Sequence, residues 1–232
     1  MPQAKPRWNL VDVILVYVGT MILGLPLVAL LGAKLFPAGM DTLTQFGVAA
    51  AGQYLSMAFL VWLLAVLLRR AAWRDLGFVA PRRQDLVRYG LRGGLLLAAI
   101  MIALGLLIAI IQPELEGQYF EQVLRESSAG YHFAITFLAG VIVGPLTEEL
   151  YFRGMLYPVL RQHLDVRWAI IVGGVLFGVI HADLWRAIPL AVGGIGLCYI
   201  YEKSGSIWVS FLAHALWNGI MYAIIVLPML AG

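Results

Sequence analysis

Three ionisable residues lie close together in an apolar stretch of the sequence, residues 140–154. They are Glu148, Glu149 and Arg153. An ionised side chain near the centre of a bilayer costs about 2.5–3.5 kcal/mol on membrane-insertion scales. Three such groups facing lipid would cost roughly 8–10 kcal/mol, which is comparable to the stability of a typical domain. We therefore expect them to face a bundle interior or a wet cavity, where ionisable groups usually serve a function.

The two carboxylates differ in their expected partners. Glu149 and Arg153 are four residues apart with the acid nearer the N-terminus, which is the better orientation for an ion pair on a helix. We predict that this pair is structural and locks helices together. Glu148 points about 100° away around the helix, so it is expected to remain an unpaired buried acid and a candidate general base. Pro145 lacks an N–H group and predicts a kink just before the pair.

Two further polar pairs occur later in apolar helices, each with the four-residue spacing that puts both members on one helix face. They are Phe177 with His181 and His214 with Asn218. A Glu, two His and an Asn from three helices can form a centre that activates water. The Glu takes a proton from water, one His orients the water or shares the proton, and the other His with the Asn stabilises an oxyanion.

The composition indicates an all-α, polytopic membrane protein. Hydrophobic residues make up 62% of the 232 residues and charged residues 12%, with a mean hydropathy of +0.87, whereas soluble domains are about half apolar and a quarter charged. The net charge of +3 does not indicate a nucleic-acid partner, because the arginines lie between hydrophobic runs and act as topology signals. Cys198 is the only cysteine, which excludes an intramolecular disulfide.

About seven spans are predicted, at residues 9–32, 45–68, 89–112, 132–155, 167–182, 186–201 and 206–230. Lys5, Arg7 and the arginines of residues 69–88 predict a cytoplasmic N-terminus, and the acidic segment 112–130 is predicted to lie outside. Glycines at helix-contact spacing, such as Gly174 with Gly178 and the group at 193, 194 and 196, indicate tight packing in the C-terminal half.

The depths of the polar residues in these spans do not agree. Counted from the predicted cytoplasmic helix ends, Glu148 and His214 lie on the order of 10–12 Å deep, at 1.5 Å per residue. His181 lies about 21 Å from Arg167, near the opposite face. Either the fifth span begins deeper than predicted or the segment after Arg153 runs along the membrane surface.

The three motifs together resemble a known family. Glu-Glu-x-x-x-Arg, Phe-x-x-x-His and His-x-x-x-Asn, in that order in adjacent apolar helices, are similar to the motifs of the CPBP family. This is the CAAX protease and bacteriocin-processing (Abi) family of intramembrane proteases, which includes the CAAX prenyl endopeptidases and is regarded as a family of glutamic proteases. The resemblance covers about residues 130–222.

The resemblance implies a role for each motif residue. It implies that Glu148 is the base that activates water and that His181 is its partner in doing so. His214 and Asn218 would stabilise the oxyanion. The supporting residues would be Glu149, Arg153 and Phe177. The implied substrate is a membrane-associated or prenylated (CAAX-type) peptide, reached from the lipid bilayer.

The sequence divides into predicted N-terminal transmembrane helices with their linking loops, residues 1–129, and a catalytic membrane core, residues 130–232. No cofactor is expected. Zinc is the alternative, since His181, His214 and a carboxylate could supply three ligands with one open position. No His-Glu-x-x-His helix is present, however, and Asn218 is a poor zinc ligand.

Two other functions remain open. A non-catalytic immunity or regulatory partner protein could use the polar cluster for helix specificity, and a small proton-coupled transporter could relay protons through Glu148 and the histidines. The polar residues are gathered in one patch rather than spread along a helix face, which disfavours the transporter. The predicted location is a prokaryotic cell membrane.

Overall fold

The computed structural model describes residues 5–35, 39–115, 117, 119–126 and 130–231. The described residues form eight helices and one short 3-10 helix, Trp73–Leu76, and no strand occurs among them. Helix α1 consists of Leu10–Gly19, Thr20–Gly24 and Leu25–Leu35 in direct succession. The others are α2 (Thr42–Leu68), α3 (Arg83–Ile111), α4 (Tyr119–Arg125), α5 (Gly130–His163), α6 (Val166–Val179), α7 (Leu184–Ser204) and α8 (Ile207–Ala231).

The helices fit the predicted membrane bundle. Helices α2, α3, α5, α7 and α8 are long and apolar enough to cross a membrane, and the shorter apolar segments Leu10–Ile22 and Val166–Val179 match the first and fifth predicted spans. The main difference lies in the fourth span. It does not end near residue 155, because α5 continues to His163.

Side-chain caps fix where several helices begin. Asn9, Asp41, Asp165 and Asp183 each precede a helix and accept a hydrogen bond from a backbone N–H of its first turn. These bonds satisfy donors that have no partner within the helix. In α1 the cap is reciprocal, because Asp12 accepts from the backbone N–H of Asn9 at 2.9 Å.

Helix α5 departs from regular α-helical geometry on both sides of the ionisable residues. Leu138–Val143 and Leu150–Leu156 are π-helical, and the α-helical segment Gly144–Glu149 lies between them. The first π-helical segment ends just before Pro145, which has no N–H group to donate to a carbonyl of the preceding turn. The irregularity therefore occurs where the proline predicted a kink.

Close backbone contact joins α6 to α7. A Cβ atom on Gly194 would lie 2.8 Å from the carbonyl oxygen of Gly174 and 2.9 Å from the Cβ of Phe177. Only glycine leaves room for this approach, as predicted from the glycine spacing. Helix α3 approaches α8 in the same way, because a Cβ on Gly94 would lie 2.8 Å from the Cα of Ala213.

The N-terminal segment is anchored to this core by polar contacts. The indole N–H of Trp8, itself buried, donates to the carbonyl of Met155 in α5 at 2.8 Å. Asp12 forms a two-bond ion pair with Arg69 at the end of α2, with both bonds at 3.0 Å. These contacts join the N-terminal segment to α5 and α1 to the end of α2.

Candidate active site

An ion pair is buried at the centre of the bundle. Arg153 donates to Oε1 of Glu149 at 2.9 Å, and both side chains are fully buried. Arg153 also donates to the carbonyl of Gly194 in α7 at 3.2 Å, and its guanidinium lies 4.9 Å from the centre of the Phe177 ring in α6. The predicted pair is confirmed, and it ties α5 to both neighbouring helices.

His214 lies between the two glutamates of α5. Its Nδ1 is 2.9 Å from Oε1 of Glu149, and its Nε2 is 3.7 Å from Oε2 of Glu148. Trp217 stacks on the imidazole with ring centres 5.3 Å apart, and Phe177 meets it edge to face at 5.7 Å. The His214 ring is therefore fixed by packing on two sides and by a hydrogen bond at Nδ1.

This arrangement determines which ring nitrogen carries a hydrogen. A carboxylate paired with a guanidinium is ionised and can only accept hydrogen bonds. Nδ1 of His214 is therefore the donor to Glu149. In the neutral ring, Nε2 then carries a lone pair and faces Glu148.

Glu148 faces a cavity rather than the packed interior. Its side chain is 27% exposed, so it is less buried than the sequence predicted. The cavity has a volume of about 280 Å³ and is lined on this side by Thr147, Glu148, Tyr151, Phe152, Ile180 and His181. A carboxylate at the wall of such a cavity can reach a water molecule and a bound substrate.

His181 shares that cavity with Glu148 and lies just beyond the end of α6. Its Nδ1 donates to the carbonyl of Phe177 at 2.7 Å, so Nε2 of the neutral ring is free to accept a proton.

The next residue, Ala182, has a φ of 53°, a left-handed conformation that is uncommon for alanine. Asp183 follows and caps α7. Burial opposes its ionisation, but hydrogen bonds from the backbone and side chain of Arg186 hold the pKa of Asp183 below its ordinary value.

The longer α5 resolves the disagreement over depth. Fifteen residues separate Glu148 from His163 at the end of α5, and fifteen separate Val166 at the start of α6 from His181. Both residues therefore lie about 22 Å from the turn that joins the two helices, at 1.5 Å per residue. The distances match because α5 continues eight residues beyond the predicted end of the fourth span at residue 155.

Asn218 lies one turn beyond His214 on α8 and is half-buried. Its side-chain Nδ2 donates to the carbonyl of Gly140 in α5 at 2.9 Å. One N–H of the amide is thus used in packing, and the second remains to serve another acceptor. The structure brings together Glu148 and His181 at the cavity and His214 beside Glu148, whereas Asn218 is not among the lining residues.

Part of the cavity wall was not anticipated from the sequence. Helices α1 and α2 supply this part, through Tyr17, Met21, Gln53, Tyr54 and Met57. Tyrosine and methionine are unremarkable in membrane spans. The amide of Gln53, in the middle of an apolar helix, was the one available signal.

A metal site would require several of these side chains to converge on one point. Within the described ranges, no three His, Cys, Asp or Glu side chains are grouped so that they could hold a metal ion. Nδ1 of His214 is already bonded to Glu149, which leaves Nε2 as the one free ring nitrogen of that residue. A three-ligand zinc site would need these side chains to lie closer together than they do among the described residues.

The fold and site define a helical membrane protein in which Glu148 and His181 share a cavity and His214 lies beside Glu148. Comparison with known proteins gives a more specific result. Residues 130–220 match the family described as type II CAAX prenyl endopeptidase Rce1-like. The chain is also 32% identical over 77 residues to "Putative membrane peptidase YdiL" of Bacillus subtilis (strain 168).

The second match covers 33% of this chain and 32% of the Bacillus protein, so the chain spans about a third of the length of that relative. No solved structure matches the chain. The segment matched by the family coincides with the one that carries the three motifs. Residues 130–220 are therefore similar to CAAX-type membrane proteases, in agreement with the resemblance found from the motifs.

Proposed function

We propose that this protein is an intramembrane endopeptidase that hydrolyses a peptide bond of a membrane-associated or prenylated substrate with water activated by Glu148. The observation that carries the proposal is the position of Glu148, at the wall of an internal cavity and 3.7 Å from Nε2 of His214. The family match supports the reaction class. The name of the Bacillus relative, a membrane peptidase, agrees with it.

The reaction begins with water held between Glu148 and His181. Glu148 takes one proton as the water oxygen forms a bond to the carbonyl carbon of the substrate. The carbonyl oxygen becomes an oxyanion. When the intermediate collapses, the C–N bond breaks and the proton held by Glu148 passes to the leaving nitrogen. The products are a carboxylic acid and an amine, and Glu148 is again a carboxylate.

The other polar residues act on the same reaction. Nε2 of His181 accepts a hydrogen bond from the attacking water and orients it. Asn218 offers its second N–H to the oxyanion. His214 can also donate to the oxyanion after Nε2 takes up a proton from solvent, which it gives back when the intermediate collapses, and the carboxylate of Glu149 balances the charge of the ring meanwhile.

An apolar groove beside the cavity supports a lipid-bearing substrate. Its volume is about 430 Å³, and it is lined by Ala58, Trp73, Phe78, Leu146, Thr147 and Leu150. Thr147 also lines the cavity, so the two spaces adjoin. A hydrocarbon chain can occupy this groove while the attached peptide reaches Glu148. Zinc is not required by this proposal.

The test compares purified wild type with Glu148→Gln in detergent, using a quenched-fluorescence prenylated CAAX-type peptide. Loss of the base is expected to lower the rate by about 10²–10⁴-fold while the thermal unfolding temperature is retained. Glu126→Gln is the matched control, because this exposed carboxyl lies outside the cavity. Hydrolysis by Glu148→Gln at the wild-type rate would overturn the proposal, and chelator-sensitive hydrolysis by wild type would establish a metal requirement.

A further inference from the structure

One amide side chain lines the cavity on the side formed by α1 and α2. Gln53 lies in the middle of α2 and is half-buried. It faces the same cavity as Glu148, although it comes from a different helix. None of the roles described above uses it.

The amide of Gln53 has no hydrogen-bond partner among the residues that the structure describes. A glutamine side chain has two N–H donors and a carbonyl acceptor, and within the described ranges Gln53 has no side-chain hydrogen bond. Gln45, on the first turns of the same helix, instead donates to the carbonyl of Met40 at 2.8 Å. A polar group in a membrane span without a partner costs free energy, so its presence at a cavity wall needs an explanation outside the fold.

We propose that Gln53 is a substrate-binding residue whose amide hydrogen-bonds the main chain of the peptide next to the bond that is cut. A peptide group offers one N–H donor and one carbonyl acceptor, which is the complement of a side-chain amide. Such a contact holds the peptide main chain whatever its side chains are. The proposal rests on the proposed function, because it requires a peptide in the cavity.

Gln53→Met tests the proposal because it removes the amide while keeping a long, apolar side chain in the span. For the prenylated CAAX-type peptide, KM is expected to rise about five- to tenfold, the equivalent of one or two hydrogen bonds, with kcat within about twofold of wild type. The unfolding temperature should stay the same or rise, since an unpartnered polar group has been removed. A lower unfolding temperature with an unchanged KM would show a structural amide and overturn the proposal.

Gln45→Met is the matched control. It also removes an amide from α2, but this amide is already hydrogen-bonded to the carbonyl of Met40 and lies outside the cavity. Its KM should equal that of wild type. Binding of the same peptide is also measured in Glu148→Gln and in the double variant Glu148→Gln/Gln53→Met. If the double variant binds the peptide at least fivefold more weakly than Glu148→Gln does, the role of Gln53 is supported even if wild type cleaves nothing. Equal binding by the two variants overturns it. Failure of wild type to cleave the peptide counts against the proposed function alone.

Discussion

Glu149 in α5 accepts a hydrogen bond from Nδ1 of His214 in α8 at 2.9 Å, although the two residues are 65 positions apart in sequence. The acidic partner is buried and paired with Arg153, so it remains an acceptor. The bond fixes both the direction of the imidazole and the nitrogen that carries its hydrogen. Glu149 therefore positions the ring edge that faces Glu148, and its role extends beyond the ion pair predicted from the sequence.

In Glu149→Gln, we expect the His214 ring to lose its fixed direction and its fixed hydrogen on Nδ1. The amide can present its NH₂ group to Nδ1, which favours the form with hydrogen on Nε2. Peptide hydrolysis should fall about 10–100-fold, the usual effect of removing the partner that orients a functional histidine. Nitrogen NMR of ¹⁵N-histidine-labelled protein reports the change directly, because the chain has four histidines.

The control for this experiment is Glu202→Gln, which alters another partly buried carboxylate. Glu202 accepts from Tyr157 at 2.7 Å and from Arg161 at 3.3 Å, away from the cavity. Its substitution should leave the His214 signals unchanged. An unprotonated Nδ1 of His214 in the wild-type protein would contradict the assignment without any variant.

Arg153→Met is expected to destabilise the bundle strongly. The substitution leaves the carboxylate of Glu149 buried without its cation, and breaking a buried pair in this way costs about 3–5 kcal/mol. The double variant Glu149→Gln/Arg153→Met removes both charges and should recover much of the lost stability while remaining weakly active. Denaturant titration in mixed micelles measures the difference, and a single variant as stable as wild type would refute the argument.

The sequence predicted best what depends on local spacing. The Glu149–Arg153 pair follows from two residues four apart on one helix, and it forms in the structure. The spans follow from apolar composition, and the glycine contact of α6 with α7 follows from small residues at regular spacing. Each of these features is determined within one segment of chain.

Features that depend on contacts between distant segments could not be predicted. The bond from His214 to Glu149 and the presence of Gln53 at the cavity depend on how helices are arranged around each other, which no periodicity encodes. The sequence also left the depth of His181 relative to Glu148 unsettled. The predicted fourth span ends at residue 155 and the fifth begins at 167, whereas α5 continues as a helix to His163.

Gly194→Ala is expected to separate α6 from α7. The added methyl would lie 2.8 Å from the carbonyl oxygen of Gly174, a backbone atom that cannot move aside cheaply. We expect a loss of stability of about 1–3 kcal/mol, as for other overpacked cores. Hydrolysis should also fall, because the carbonyl of Gly194 accepts a hydrogen bond from Arg153.

Gly105→Ala in α3 is the control for that substitution. A Cβ at Gly105 meets no atom within 4 Å, so the same change should be neutral or slightly stabilising, since alanine favours helix over glycine. Both variants are compared by thermal unfolding in detergent. Equal stability of the two would mean that the α6–α7 contact tolerates a methyl group.

The predicted orientation in the membrane can be tested with single cysteines, because Cys198 is only 1% exposed and should not react with a membrane-impermeant maleimide. Arg74→Cys lies in the arginine-rich loop between α2 and α3, and Glu126→Cys follows α4 in the acidic segment. With a cytoplasmic N-terminus, the cysteine at 126 should be labelled in intact cells and the one at 74 only after permeabilisation. The reverse pattern would place the N-terminus outside, and the arginines of that loop would then serve some purpose other than topology.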